Sequence, residues 1–258
     1  MERYQGHLTL PKVGVQGQAQ LLRSRVLVVG VGGVGCPVLQ YLAASGVGTL
    51  GLLDDDRVDT TNLQRQVLFG TADVGRPKVE VARERLEALN PDVLVKEHQL
   101  RLSASNALEI VQGWDLVVDG SDNFATRYVI NDACVLAGVP LVTGSIYQYE
   151  AQVTVFRPPA TPCYRCIFPV PPPDQQPCRD VGVLAPLAGL VGNLLAAEVL
   201  KLLVSGRTSL MGRLLLVDLL QTDFRTVQLK NAPYCPLCGR SPAIEHPTSV
   251  PVGGTGAQ

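Results

Sequence analysis

Val26-Leu27-Val28-Val29-Gly30-Val31-Gly32-Gly33-Val34-Gly35-Cys36 is the stretch that decides the fold. Four apolar residues bounded by a glycine read as a buried strand. The glycines behind it divide the work of a strand-to-helix connection: one permits a tight turn, one lets backbone approach a phosphate, one lets the next helix pack close to the strand. The helix that follows opens with free N–H groups and the positive end of its dipole, which suits an anion. Gly30, Gly32, Gly33 and Gly35 are therefore candidate nucleotide contacts. Thr49–Leu53 reads as the second strand, and Asp54, 19 residues past Gly35, stands at its end, where a carboxylate can hold ribose hydroxyls.

Asn62-Leu63-Gln64-Arg65-Gln66 and Lys78 lie just downstream. A nicotinamide-dependent oxidoreductase would use the glycine turn and the acid, but has no need for an added Asn, Arg and Lys. Those three suit a triphosphate about to be cleaved. Arg76–Leu89, with Pro77 at its start and Val79, Ala82, Leu86 and Leu89 on one side, predicts an amphipathic helix. Leu116-Val117-Val118 reads as another buried strand, running into Asp119-Gly120-Ser121-Asp122-Asn123 and a helix that extends to Gly138. Ligands of open parallel sheets bind at the carboxyl ends of strands, so Asp122 should face the same crevice as the glycine turn. Its hard oxygens suit Mg2+ carried on ATP phosphates, or else it caps the helix, a task Ser121 could take instead.

Strands at Gln152–Phe156, Arg213–Val217 and Phe224–Leu229 follow without a helix between each pair, which predicts an antiparallel extension. The fold class expected is α/β: a Rossmann-like, mostly parallel sheet with an antiparallel extension and a zinc-stapled C-terminal part. One domain spans 1–240, with its nucleotide-binding part at about 20–145, a crossover loop at 158–178 and the C-terminal strands and knuckle at 205–240. Residues 241–258, rich in Pro, Gly, Ser and Thr, read as a disordered tail.

The chain has 258 residues, 46% of them hydrophobic and 17% charged, with a formal net charge of −1, a composition that describes a globular protein. No Lys/Arg run marks a nucleic-acid groove or an anionic membrane surface as partner. Met1-Glu2-Arg3-Tyr4 is polar from the start, which predicts a cytoplasmic protein with no secretory leader. Val181 to Val204 is apolar enough to be mistaken for a membrane span, but Pro186, Asn193, Glu198 and Lys201 interrupt it. Its small residues predict a helix packed tightly inside the protein or against a second copy.

Cys163-Tyr164-Arg165-Cys166 and Cys235-Pro236-Leu237-Cys238 form two C-x-x-C pairs. Two such knuckles let four thiolates converge on one Zn2+, here tying a mid-chain loop to the C-terminal part across the 68 residues between Cys166 and Cys235. Disulfides are the alternative, which a reducing compartment disfavours. Cys36 and Cys134 sit in apolar helical contexts as small buried thiols. Cys178 ends a stretch from Pro158 to Pro177 with eight prolines, read as irregular surface loop. Beside Arg179 and close to a helix start near Val183, its thiol is placed for a lowered pKa.

In combination these motifs, with Gly75-Arg76-Pro77-Lys78 and Gly182-Val183-Leu184-Ala185-Pro186, resemble the MoeB/ThiF group of adenylyltransferases. The resemblance covers nearly the whole chain. It implies a homodimer that binds ATP, Mg2+ and the C-terminal Gly-Gly tail of a ubiquitin-like sulfur-carrier protein, whose carboxylate attacks the α-phosphate. It further implies that Gly33 approaches the nucleotide, that Asp54 takes the ribose, that Asn62, Arg65 and Lys78 take the phosphates, and that Asp122 takes the metal, with Gln66 and Asn123 beside them. In some relatives a cysteine at the position of Cys178 takes part in the later sulfur step. The chain departs from the pattern at Gly6, where many relatives place an arginine that reaches the partner's ATP, which leaves Arg3 or His7 to compensate. It also departs around Cys178, where Pro177 and Arg179 replace the usual neighbours. No sulfurtransferase domain follows the second knuckle, so the resemblance implies a separate sulfur donor protein. A non-turnover partner subunit that only binds a carrier is the alternative function, and it draws on these two departures.

Overall fold

The computed structural model describes residues 1–170 and 182–248. Its eight strands form one sheet: β1 (Arg25–Val29), β2 (Thr49–Leu53), β3 (Leu94–His98), β4 (Leu116–Asp119), β5 (Leu141–Tyr147), β6 (Glu150–Phe156), β7 (Arg213–Asp218) and β8 (Asp223–Gln228). Their order is β3-β2-β1-β4-β5-β6-β7-β8. The first five are mutually parallel, and β6, β7 and β8 extend the sheet antiparallel. The expected mixed sheet is therefore the one observed.

Both faces of the central strands β1, β2 and β4 are covered, which is why they read as continuous apolar runs. Successive side chains of a strand point to opposite faces. Val26 and Val28 accordingly join one core with helices α1 (Gly14–Arg23), α2 (Gly35–Ala44) and α3 (Lys78–Leu89), while Leu27 and Val29 join the other with α4 (Phe124–Ala137). Helix α5 (Ala185–Ser205) belongs to the first core. It is long and apolar enough to cross a membrane, but half of its apolar window is buried inside the protein. The small residues foreseen there have a packing reason. A Cβ on Gly192 would meet the Pro37 ring at 2.3 Å, and one on Gly144 of β5 would meet Val191 at 2.8 Å.

The chain reverses strand order between β1 and β4, and a crevice opens beyond the carboxyl ends of these two strands. The N-terminal segment sits at the other end of the sheet. Tyr4 is buried against Gly46, and its hydroxyl accepts a hydrogen bond from Asn90 at 3.0 Å, just beyond the C-terminus of α3. Helix α3 begins at the crevice with Lys78, and its 12 residues carry the chain about 18 Å away.

The structure corrects several expectations. Helix α3 starts at Lys78 rather than Arg76, because Pro77 lies in extended backbone before it. The proline-rich stretch is not all surface loop. Tyr164–Ile167 is a short helix, and Cys163, Tyr164 and Arg165 are buried, held by α4. Order also continues past residue 240. Ala243 and Ile244 donate backbone hydrogen bonds to the Pro236 carbonyl, and Thr248 caps a buried carboxylate of α4. Cys178 and residues 249–258 lie outside the described residues.

Candidate active site

Gly30 follows β1 with a φ of 90°, a left-handed conformation that disfavours a side chain, and a Cβ there would strike the Gly120 carbonyl at 2.8 Å. The loops after β1 and β4 are thus in backbone contact. Gly32 and Gly33 line the crevice in front of this contact. Gly35 stands behind it, where an added Cβ would come within 1.9 Å of the Gly30 carbonyl, so its task is helix packing rather than phosphate contact. Asp54 organises the turn from the side. One carboxylate oxygen accepts from the Val31 amide at 2.7 Å, the other from the Asp56 amide at 2.8 Å. Burial raises its pKa, opposed by Lys78 and by those two amide donors.

The crevice has a volume of about 790 Å³ and gathers Gly30, Gly32, Gly33, Asp54, Asn62, Arg65, Gln66, Lys78, Asp122 and Asn123. It thus brings together every expected nucleotide-site residue except Gly35. Lys78, at the N-terminus of α3, is 4% exposed and pairs at 2.8 Å with Asp56, whose side chain is 67% exposed. Arg65 spends one donor on the Thr61 carbonyl at 3.2 Å. The buried Oε1 of Gln66 has no partner. Arg65 and Lys78 offer donors to a polyphosphate, and the Gln66 Oε1 offers an acceptor to a hydroxyl or amine.

The loop after β4 is shaped by Asp119, which is buried and accepts from the Ser121 amide, the Ser121 hydroxyl and the Thr143 hydroxyl. Ser121 therefore faces back toward the strand, and α4 is capped by Asn123, whose side chain accepts from the Thr126 amide at 2.9 Å. This cap leaves Asp122 exposed, and among the described residues its carboxylate has only a long 3.4 Å contact from the Asn123 side-chain amide. An exposed carboxylate free of capping duty fits a Mg2+ ligand.

A smaller cavity of about 180 Å³ adjoins the crevice and shares Asp122, Arg127, Gly144 and Ile146 with it. Phe124, Phe156, Tyr164 and Phe168 add an aromatic lining, and Ser145 and Gln152 a polar one. Arg127 and the cavity were not legible in the sequence, because β5, β6 and the first knuckle meet α4 only in the folded chain. An arginine five residues after Asp122, on the first turns of a helix entering the crevice, was the one available signal.

Away from the crevice, the two C-x-x-C pairs converge. Sγ–Sγ separations are 3.9 Å for Cys163–Cys166, 3.6 Å for Cys163–Cys235 and 3.4 Å for Cys166–Cys238, with all four sulfurs within 4.8 Å of one another. Four thiolates around zinc stand about 3.8 Å apart at ideal tetrahedral geometry, so this donor set fits Zn2+. The thiols already polarise one another. A hydrogen bond from Cys163 helps bring Cys238 down to about 5, and the same bond, with burial, pushes Cys163 up. Between the first two ligands, Arg165 pairs with both oxygens of buried Asp132 on α4, each at 2.7 Å. Thr248 covers that pair. Cys36 and Cys134 are buried as expected, and desolvation pushes Cys36 up to about 12.

Comparison with known proteins agrees with this arrangement. The ThiF family matches residues 4–237. A sulfur carrier protein adenylyltransferase of Thermus thermophilus is 51% identical over 94% of this chain and 92% of its own. The SAMP-activating enzyme E1 of Haloferax volcanii is 49% identical over 93% and 89%. MoeZ of Mycobacterium tuberculosis, described as a probable adenylyltransferase/sulfurtransferase, is 47% identical over 91% of this chain, which spans 61% of its length. Among solved structures, that of E. coli MccB superposes with a TM-score of 0.80 at 26% identity, covering 89% of this chain and 69% of that one. With the glycine turn, the Arg65/Lys78/Asp122 crevice and the paired knuckles all in place, the chain belongs to the ThiF family.

Proposed function

We propose that this protein adenylylates the C-terminal carboxylate of a ubiquitin-like sulfur-carrier protein that ends in Gly-Gly. A carboxylate oxygen attacks the α-phosphate of ATP, the bond to the β-phosphate breaks, and pyrophosphate leaves with an acyl-adenylate as product. The observation that carries this reading is the continuity of the crevice that holds Arg65 and Lys78 with the narrow cavity at Asp122, Arg127, Gly144 and Ile146. ATP fits the first, and a peptide end without side chains fits the second. Its relatives in T. thermophilus and H. volcanii carry names of the same chemistry, and MccB has been crystallised with ATP.

Gly32 and Gly33 would admit the phosphates, Asp54 the ribose, and Arg65 and Lys78 would offset charge as pyrophosphate departs. Asp122 would hold Mg2+, which when bound neutralises phosphate charge. Zinc at Cys163, Cys166, Cys235 and Cys238 would be structural. The protein would act as a cytoplasmic homodimer, since Arg3 and Gly6 lie at the sheet end remote from their own crevice and reach an active site only across a subunit interface. Arg3 donates to the Leu89 carbonyl at 2.9 Å, which occupies it locally. Cys178 would act after adenylation, on sulfur delivered by a separate donor protein; Cys178→Ala should then leave pyrophosphate exchange intact while slowing thiocarboxylate formation. The direct test is ATP–pyrophosphate exchange with each Gly-Gly carrier of the same organism. Exchange that requires the carrier supports the reading, and carrier binding without exchange favours a non-turnover subunit.

A further inference from the structure

Arg127 rises from the first turns of α4 to the place where crevice and cavity meet, lining both beside Asp122. Its donors are only partly used. Nη2 donates to the Ser121 carbonyl at 3.0 Å, the guanidinium lies 5.6 Å from the Phe124 ring centroid, and the buried Nε has no acceptor. No carboxylate pairs with it among the described residues. Tyr164 of the nearest knuckle lines the same cavity. Tyr164, between Cys163 and Cys166, is buried against Tyr128 with ring centroids 5.2 Å apart.

An arginine with spare donors between a phosphate crevice and a peptide-sized cavity is suited to an anion that arrives through the cavity. Arg65 and Lys78 gather at the glycine-turn side of the crevice, whereas Arg127 alone among the crevice cations also lines the cavity. Two anions, the carboxylate and the α-phosphate, must meet at this junction, and their repulsion needs a cation on the carboxylate side. We propose that Arg127 receives the terminal carboxylate of the carrier. The inference rests on the adenylyltransferase reading above and adds the group that recognises the carrier's end.

The test compares two probes on the full-length protein by calorimetry: a Gly-Gly-ending ubiquitin-like carrier of the same organism with its free C-terminal acid, and the same carrier made as the C-terminal carboxamide. The wild-type protein should bind the acid about tenfold or more tighter than the amide, the scale of one charge-assisted hydrogen bond. Arg127→Gln should erase that preference and Arg127→Lys should restore part of it, with ATP affinity unchanged in both. Arg127→Lys retains the charge, so a folding defect in the glutamine variant leaves a second readout. Retention of the acid preference in Arg127→Gln overturns the proposal, as does indifference of the wild type to acid or amide. A loss of ATP affinity in place of the acid preference also overturns it, since Arg127 would then be a phosphate ligand. Failure of the parent reading looks different: the acid preference would follow Arg127 while no carrier supports pyrophosphate exchange.

Discussion

The crevice after β1 and β4 keeps its charges partly unmatched, whereas the cysteine knuckles and the adjoining Asp132–Arg165 pair close on themselves. Asp122 and the Gln66 carbonyl in the crevice lack strong partners. At the knuckles every sulfur has a sulfur neighbour, and Asp132 accepts from Arg165 and Thr248. Unfilled capacity marks the region that awaits ligands, and saturation marks the region that holds the fold. The two regions are joined by α4, whose N-terminal end enters the crevice and whose middle grips the knuckle.

The sharpest separation of these roles should come from the knuckles. Cys235→Ser removes one of the four proposed zinc ligands, and because metal binding is coupled to folding, it should abolish zinc by metal analysis and cost several kcal/mol or the fold itself. Equal denaturation midpoints for variant and wild type would show that the cluster is no staple. Next in size is Asp132→Asn, which leaves Arg165 buried without its counter-charge. Denaturant unfolding should report a loss of about 3–5 kcal/mol. A change below about 1 kcal/mol would mean that the pair is freely replaced, as surface pairs are.

The crevice should respond the other way. Lys78→Ala releases the exposed Asp56 and removes a cation from beside Asp54, so stability should fall by less than in Asp132→Asn, whose counter-charge is buried. Pyrophosphate exchange should drop about 10²-fold or more in Lys78→Ala and Arg65→Ala, because each removes charge where the leaving pyrophosphate needs it. Exchange within about threefold of wild type in either variant would remove that residue from the phosphate site.

How far each region was legible from sequence follows the same division. The crevice draws most of its residues from Gly30 to Lys78, a span in which strand, turn and helix fix spacing locally, so Asp54, Arg65 and Lys78 could be placed together before the fold was seen. The antiparallel extension was legible because its strands lack helices between them. Gly35 fits the helix-packing task among the glycines, but sequence spacing does not distinguish a glycine that touches phosphate from one whose Cβ would hit the Gly30 carbonyl. Ser121 was considered as a cap, but Asp119 claims its hydroxyl. Arg127, Tyr164, Asp132 and Thr248 stayed hidden for a different reason: their roles arise from contacts between segments 33 to 116 residues apart, which no local pattern encodes.

The smallest effect concerns the N-terminal segment. Gly6 has nothing within 4 Å of an added Cβ, and Arg3 is bonded at the far end of α3. Gly6→Arg should therefore be accommodated and should speed exchange a few-fold if the segment docks on a partner subunit, a small share of what cations in trans contribute to phosphoryl transfer. Arg3→Ala should leave exchange nearly unchanged. A severe loss in Arg3→Ala with a neutral Gly6→Arg would assign the cross-subunit cation to Arg3.

The central claim is that this crevice makes an acyl-adenylate, and intact-mass spectrometry of the carrier tests it most directly. Wild-type protein incubated with ATP, Mg2+ and a Gly-Gly carrier should yield carrier heavier by one adenylyl group, with none on the carboxamide carrier and none from Lys78→Ala protein that retains its zinc. ATP consumption without adenylated carrier, or adenylation that survives loss of Lys78, would contradict the account.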